Sequence, residues 1–349
     1  MSPASTTAGT PTRTAAVRPV RPAGPEGPNA ADHPDDPVVL HAVDSTGAGR
    51  AVTRHELAEQ VERATTALAR LGVRPGDRVA LQLPLIPEAV VALLACTRIG
   101  AVATTLAPWA ARHHDPADEL ARRRLRRVRL LVTTDDRGPA GSGDTALGSP
   151  PVLVVRTGSG PARRPEDRWS WWHRALAVPS PRHGLTAPAP EERAAGLRLG
   201  LRGPADVYWC AAGLDWLVRH PQAVAGPLAL GAAQVICEDP ARSARPEQLR
   251  ETLQTYGVTV LHARPDSLHD VLWQSRAGGP HAPDLPGLHL VAPVPHPAED
   301  PAPDHWYWQR EPLPAPAWHL RHGPSPWSLP PAVTPTGSCP ERSGMAARP

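Results

Sequence analysis

The chain has 349 residues, 41% of them hydrophobic, and a formal net charge of only +3. This length fits two domains or one large domain with a substantial core, and the near balance of charge argues against a dedicated nucleic-acid-binding protein. The sequence contains no lysine, so all 37 cationic side chains are arginine, which excludes Schiff-base chemistry and any phosphate loop that depends on a lysine.

The first 36 residues hold Pro, Ala, Thr and Arg without an apolar run, and they predict a disordered tail, with a transit peptide as the alternative. The sequence shows neither the apolar segment of a secretory signal nor a stretch long enough to span a membrane. The cysteines lie far apart without metal-ligand spacing, and three of them fall in apolar segments. Reduced core thiols in a cytoplasmic protein are therefore expected at Cys96, Cys210 and Cys237, with Cys339 outside such a segment.

The first predicted helix begins at a capping box. Thr53 and Glu56 have the T-x-x-E spacing in which each side chain caps the backbone N–H of the other residue. Apolar residues then recur at helical spacing up to Leu71, and Gly72 occupies the position at which helices end in the left-handed conformation.

A strand–helix–strand unit follows this helix. Residues 75–77 read Pro-Gly-Asp, a turn sequence, and residues 79–83 form a short apolar segment typical of a buried strand. Pro87 suits the first turn of a second helix, Glu88 complements its dipole, and Gly100 ends it. A buried first strand followed by a helix and a second strand predicts a βαβ unit in a parallel sheet.

The alternation of elements continues along the chain. Helices are predicted at 117–127, 214–229, 246–256 and 265–274, and strands at 128–133, 152–155, 207–210, 233–237, 258–262 and 288–291. This order predicts an α/β fold of the doubly wound type, with an ordered domain at 37–292. Periodicity is lost after about residue 293, and we expect 293–349 to be an irregular, partly disordered tail rich in Pro, Trp and His.

Passages spread over most of the chain resemble one known family. The run 67–103 is joined, in the same order as in that family, by segments similar to R-T-G with W-W-H, D-V-F-W-C, V-G-W-V-T-G-H, G-P-L-A-x-G-A and Y-x-V-T-x-x-Y-T-A-P. These segments are 156–158 with 169–173, 206–210, 214–220, 226–232 and 256–265. Together they resemble AMP-forming acetyl-CoA synthetases of the acyl-adenylate-forming superfamily, and the W-W-H and G-W-V-T-G-H passages point to the acetyl/propionyl branch.

The resemblance implies a βαβ-rich N-terminal large domain and a two-step reaction. Such enzymes form an acyl-adenylate from ATP and a short carboxylate, then transfer the acyl group to CoA. A Gly/Ser/Thr-rich loop holds the ATP phosphates, a carboxylate holds Mg²⁺ on them, and a lysine stabilises the transferring charge. ATP, Mg²⁺ and CoA are therefore the cofactors and substrates that the family uses.

The chain departs from the family at each of these parts. The position of the phosphate loop, residues 191–204, contains no Ser, Thr or Lys and is too short for the loop and the helix that follows it. The nucleotide motif G-E-P aligns with 295–297, and the F-G-G-F turn near CoA aligns with 107–110. Arg321 stands at the position of the metal-binding carboxylate. The family's C-terminal domain is also missing, so we expect a truncated, degenerate domain with neither catalytic residues nor metal ligands.

Two groups of positions still align with residues that contact substrates in the family. Trp216, Leu217 and Val218 align with residues that line the acyl pocket, although a plain core role is the alternative. Arg137 resembles an R-G-G element near the CoA phosphates, with a solvated loop arginine as the alternative. The basic cluster at 122–129 fits a CoA phosphate, nucleic acid or a solvated helix face, and the histidines at 113–115 and 319–322 are weak metal candidates.

Three functional hypotheses follow. The first is a catalytically degenerate acetyl-CoA synthetase-like protein that binds CoA, an acyl-CoA or a protein partner. The second is a working short-chain acyl-CoA ligase with atypical residues or a separately encoded C-terminal domain. The third is a non-enzymatic interaction protein that acts through its Trp- and Pro-rich C-terminal third.

Overall fold

The structure is a computed structural model in which the larger part of the chain is described. The described residues are 36–105, 127–135, 150–157, 169–177, 188–268, 285, 287–294, 304–311 and 317–327. Strands and helices alternate through these ranges, so the predicted α/β class is confirmed. Among the described residues, none of the helices has both the length and the apolar content that a membrane crossing requires.

The larger sheet has eight strands. Their order is β13-β12-β11-β10-β8-β9-β1-β2. The five inner strands from β11 to β1 run parallel, whereas β2 at one end and β12 and β13 at the other are antiparallel. The strands are β1 Val38–Val43, β2 Gly49–Thr53, β8 Val207–Cys210, β9 Ala233–Cys237, β10 Val260–Ala263, β11 Leu290–Pro293, β12 Asp304–Glu311 and β13 Ala317–Pro324.

The smaller sheet has five strands and is wholly parallel. Their order is β4-β3-β5-β6-β7, where β3 is Arg78–Gln82, β4 Val102–Thr105, β5 Leu130–Thr134, β6 Val152–Val155 and β7 Trp169–Trp171. The side chains of β5 and β6 are buried on both faces of the sheet. That is why these strands read as continuous apolar runs rather than as alternating sequences.

Helices connect the strands and cover the sheets. They are α1 Arg54–Arg70, α2 Pro87–Ile99, α3 Trp172–Leu176, α4 Pro190–Arg198, α5 Leu214–Leu217, α6 Gln222–Leu230 and α7 Pro246–Tyr256, with a 3₁₀ turn at Pro240–Ala244. The capping box predicted for α1 is present, with the Glu56 N–H donating to Thr53 Oγ1 at 3.3 Å and the Thr53 N–H donating to Glu56 Oε2 at 2.9 Å. Helix α2 ends at Gly100 in the left-handed conformation, as predicted.

Several predicted boundaries differ from the structure, and two of these differences have a local backbone cause. The single helix predicted at 214–229 is split into α5 and α6, since Pro221 lacks an N–H donor and disfavours helical geometry in the residue before it. The strand predicted at 258–262 begins at Val260. Val258 instead completes the cap of α7, where its N–H donates to Leu253 O at 3.0 Å after the left-handed Gly257.

The expectation of an irregular tail is wrong for part of 293–349. Strands β12 and β13 form an antiparallel hairpin whose pairing runs from Asp304 opposite Pro324 to Glu311 opposite Ala317. The prediction failed because prolines flank both strands and interrupt the apolar pattern, whereas the large aromatic side chains within them favour a pleated surface. Strand β11 also reaches Pro293, one residue past the expected domain boundary, and residues 328–349 lie outside the described ranges.

One hydrophobic cluster joins the two sheets. It contains residues from β1, β3, β5, β6, β8 and β10 together with the apolar faces of α1 and α2. The opposite face of the eight-stranded sheet packs on α7 through a second cluster that includes Trp209, Leu249 and Leu253. The core therefore lies between the sheets and fixes the loops at their strand ends.

Candidate functional site

A regular helix occupies the position at which the resemblance places the phosphate loop. Helix α4 begins with Pro190 in its first turn, and Glu192 Oε2 accepts a hydrogen bond from the Ala189 N–H at 3.0 Å. Two acidic residues in the first turn complement the positive end of the helix. The segment therefore has its own helix-start signals, and its backbone N–H groups beyond the first turn are engaged in helical hydrogen bonds rather than turned towards a ligand.

Helix α4 packs against α6 with the two backbones in contact. A Cβ atom added to Gly196 would lie 2.6 Å from Gly226 O, and one added to Gly226 would lie 2.7 Å from Gly196 N. Arg193 Nη1 also donates to Ala229 O at 3.1 Å. This close packing leaves no room between the helices for a loop or a nucleotide.

The predicted acyl-pocket residues lie in the core. Trp216 and Leu217 are 1% and 2% exposed, and Val218 is half-buried. The Trp216 ring stacks on His220 with centroids 3.9 Å apart, and its edge-on neighbour is Trp327 at 5.4 Å. Trp327 is itself 1% exposed. The space beside the predicted acyl-pocket residues is thus filled by an aromatic side chain of the same chain.

This aromatic cluster is tied to α4 as well. His262 lies 5.1 Å from Trp327 between ring centroids, and its Nε2 is 3.1 Å from Leu199 O at the C-terminal cap of α4. Trp327 Nε1 donates to Pro293 O at 3.3 Å. The cluster therefore connects the C-terminal hairpin, α5 and α4 in one buried unit.

His220 is a titratable group of this cluster, and its surroundings determine its charge. Burial lowers the pKa of His220 below its usual 6.5, and the nearby Arg219 guanidinium lowers it further, while the contact of Nδ1 with Trp216 O opposes the shift. Arg219 also lies over the Trp216 ring at 5.5 Å. His220 is therefore held in its neutral form at pH 7.

The position aligned with the metal carboxylate belongs to the hairpin. Arg321 lies on β13 opposite Tyr307, with its side chain exposed. No group of His, Cys, Asp and Glu among the described residues has an arrangement that could hold a metal ion. Of the weak metal candidates, 319–322 lies on β13, and 113–115 lies outside the described residues.

The carboxyl edge of the five-stranded sheet brings two of the matched motifs together. Asp135 follows β5 and Thr157 follows β6, and Asp135 Oδ1 accepts hydrogen bonds from both the N–H and the hydroxyl of Thr157 at 3.0 Å. The Thr134 hydroxyl at the end of β5 is buried without a hydrogen-bond partner among the described residues. Arg137, two residues beyond Asp135, lies outside the described residues, so its predicted CoA contact stays a prediction.

The cysteines that the structure describes are structural. Cys96, Cys210 and Cys237 are buried free thiols. Burial raises the pKa of each thiol to about 12. Such thiols carry almost no thiolate at neutral pH, so they are unsuited to nucleophilic catalysis.

Sequence reasoning missed Trp327 and the pair Gly196 and Gly226. Trp327 stands in a Pro-rich stretch without periodicity, and nothing local marks it as buried. The two glycines carried a usable signal, because a glycine inside a helix is unfavourable unless close packing requires it. Of the basic cluster at 122–129, the structure describes Arg127 and Arg129, and Arg129 Nε donates to Gly72 O at 3.1 Å.

Comparison with known proteins matches the chain to one family. The sequence profile named AMP-binding enzyme matches residues 28–176. The acetyl-coenzyme A synthetase of Streptomyces avermitilis is 32% identical over 90% of this chain and 53% of its own length. The Streptomyces coelicolor enzyme of the same name is 30% identical over 79% of this chain and 47% of its own length. The chain thus spans about half the length of these curated relatives.

A solved structure supports the fold. The crystal structure of Brucella canis acyl-CoA synthetase superimposes with a TM-score of 0.56 and 22% sequence identity, covering 76% of this chain and 51% of that chain. At this identity the likeness establishes the architecture alone. The α/β fold with parallel sheets is therefore that of an acyl-CoA synthetase large domain.

The contact between α4 and α6 predicts an unusual response to a helix-favouring substitution. Gly226→Ala would gain roughly 1 kcal/mol from helix propensity, but its Cβ would meet the backbone of Gly196 at 2.7 Å. We expect overpacking to dominate and to destabilise the protein by roughly 1–3 kcal/mol in chemical denaturation. Gly203→Ala is the matched control, because its Cβ meets nothing within 4 Å; a stabilised Gly226→Ala variant would contradict the packing.

Burial of His220 predicts acid sensitivity. Its pKa in the folded protein lies below the 6.5 of an exposed histidine. As pH falls through 6.5 the unfolded chain takes up the proton first, and the free energy of unfolding decreases until the folded-state pKa is passed. In denaturation curves at about pH 7.5 and about pH 5.5, His220→Phe should lose part of this decrease. An unchanged pH dependence would contradict the assignment.

Proposed function

The chain belongs to the AMP-binding enzyme family, and we propose that it is an acetyl-CoA synthetase-like protein that no longer forms acyl-adenylates. Its relatives are named acetyl-coenzyme A synthetases. Formation of an acyl-adenylate requires free backbone N–H groups that hold the ATP phosphates. The proposal is that the scaffold has persisted while the phosphate site has been replaced. This scaffold comprises the domain expected at 37–292 together with the hairpin that extends its sheet.

The observation that carries this proposal is the packing of α4 against α6. The N–H groups within a helix are used by its own carbonyls, and those of α4 lie in a segment locked by the contact of Gly196 with Gly226. The absence of lysine from the sequence removes the usual point charge for a transferring phosphoryl or acyl group. Both features disfavour the same step, the attack of the carboxylate substrate on ATP.

The filled pocket also supports the proposal that the chain no longer binds the acyl substrate. A short carboxylate would have to occupy space beside Trp216 that Trp327 fills at core packing distance. Displacing a buried Trp costs several kcal/mol, since removal of such a side chain to alanine costs about 3–5 kcal/mol. Binding of acetate, which offers few contacts, would not offset that cost.

CoA or an acyl-CoA is the ligand class that we propose for the remaining site. The matched motifs around Asp135 and Thr157 lie at the carboxyl edge of a parallel sheet, where α/β proteins bind ligands. The Thr134 hydroxyl has no hydrogen-bond partner among the described residues, and Arg137, after Asp135 and Asp136 in the sequence, is a candidate phosphate ligand. The reduced, buried thiols are consistent with the proposed cytoplasmic location.

The decisive assay is ATP–pyrophosphate exchange with acetate and with propionate, run beside a binding titration with CoA. We expect no exchange above the enzyme-free background, because α4 closes the phosphate site. We expect CoA to bind and Arg137→Ala to weaken it by roughly tenfold, the loss of one charge-assisted hydrogen bond. The matched control is Arg63→Ala, an exposed arginine on α1 paired with Glu59.

An acetyl-coenzyme A synthetase relative serves as the positive control for exchange. Robust exchange by this chain would contradict the proposal and support the working ligase with atypical residues. CoA binding that Arg137→Ala leaves unchanged would remove the assignment of Arg137 while leaving the loss of adenylation in place.

A second candidate is an interaction protein acting through the C-terminal hairpin. Trp306 and Leu320 are 55% and 52% exposed, an unusual degree for such large apolar side chains on a hairpin. If the hairpin is a self-association surface, sedimentation velocity should show that the protein associates as its concentration rises. The double variant with Trp306→Ser and Leu320→Ser should abolish this association. A monomeric wild-type protein would remove this candidate in its self-associating form.

A further inference from the structure

A cleft of about 320 Å³ lies where the C-terminal end of α1 meets β7 and α3. Its lining is mostly apolar and consists of alanines, a leucine and tryptophans, with one serine and two arginines, contributed by Ala67, Arg70, Leu71, Trp169, Ser170, Trp171, Arg174 and Ala175. The cleft shares no lining residue with the Trp216 cluster or with the carboxyl edge at Asp135. It is therefore a separate feature that the proposed function does not use.

Within the part of the chain that the structure describes, the two arginines of the cleft have no charged partner. Arg70 lies in the last turn of α1 and Arg174 in the last turn of α3, and both side chains are exposed. No ion pair or side-chain hydrogen bond joins either guanidinium to another described residue. Two other exposed arginines are paired with carboxylates, Arg63 with Glu59 at 2.6 Å and Arg245 with Asp239 at 3.3 Å.

The aromatic lining is held rigidly. Trp171 is buried against Leu131, Val152 and Val154, and Trp169 packs beside it on the same cluster. The indole rings are thus positioned by the sheet rather than by the ligand, so little side-chain entropy remains to be lost on binding. Two guanidinium groups without a partner among the described residues lie beside fixed indole rings. Such an arrangement can bind a ligand, since guanidinium groups bind carboxylate and phosphate through paired N–H groups and indole rings stack on flat apolar groups.

We propose that this cleft binds a small organic anion that has one carboxylate or phosphate group and a flat apolar body. Its volume and its apolar lining with a few polar groups match ligand sites in general. Arg70 and Arg174 hold the anionic group, and Trp169, with the apolar side chains of Leu71 and Ala175, contacts the body. A bare inorganic anion would leave the apolar lining unused, and a neutral aromatic would leave both cations unpaired.

The test is titration of the full chain, monitored by tryptophan fluorescence and by calorimetry, with benzoate and phenyl phosphate as probes and benzamide as the neutral isostere. Benzoate or phenyl phosphate should bind at least tenfold more tightly than benzamide, because only the anions pair with the arginines. Arg70→Gln and Arg174→Gln, which keep the side-chain length, should each weaken anion binding by roughly tenfold. Arg63→Gln, on the same helix α1, should leave it unchanged.

Three results would overturn the proposal. They are equal affinity for benzoate and benzamide, anion binding that neither Arg70→Gln nor Arg174→Gln weakens, and no binding of either anion at about 10 mM. Because the substituted arginines are exposed, circular dichroism and thermal unfolding that match the wild type verify that each variant is folded. The outcome is independent of ATP–pyrophosphate exchange, since neither probe is a substrate of that assay.

Discussion

The contact between Gly196 and Gly226 is the constraint on which the rest of the structure depends. Only residues without a Cβ allow the backbones of α4 and α6 to approach to this distance. The contact fixes α4 at the position where relatives of this chain are expected to hold ATP phosphates. It also places Leu199, at the end of α4, beside His262 in the eight-stranded sheet. The contact therefore sets the position of α4 and, through Leu199, its link to the buried cluster, and we propose that it also replaces the phosphate site.

The buried aromatic cluster closes a second part of the interior, beside Trp216. Trp327 comes after the C-terminal hairpin, yet its ring lies among Trp216, His220 and His262, residues from the centre of the domain. Its burial anchors the end of the hairpin in the core, and we propose that its ring fills space that an acyl group would need. A scaffold typical of the AMP-binding enzyme family is therefore combined with an interior closed by its own side chains. We propose the carboxyl edge near Asp135 and the cleft near Arg70 as the ligand sites of the chain.

Local signals in the sequence predicted much of the scaffold. The capping box at Thr53, the left-handed stop at Gly100 and the doubly buried strands β5 and β6 depend on neighbouring residues, so they could be read directly. The hairpin and the burial of Trp327 could not, because they depend on partners far away in the sequence. The motif matches aligned Trp216 with an acyl pocket, but the surroundings of Trp216 are set by the distant Trp327. The composition of 191–204 already departed from a phosphate loop, whereas the helix α4 packed on α6 in that segment could be seen only in the structure.

The most direct test of this account is amide hydrogen exchange of residues 190–198, compared with and without Mg²⁺, ATP and acetate. If α4 is a permanent structural helix packed on α6, its amides are protected in the free protein, and the addition of nucleotide leaves their exchange rates unchanged. Rapid exchange in the free protein, with protection that appears only when ATP is added, would show that the segment is a nucleotide-binding loop. That result would contradict the central claim.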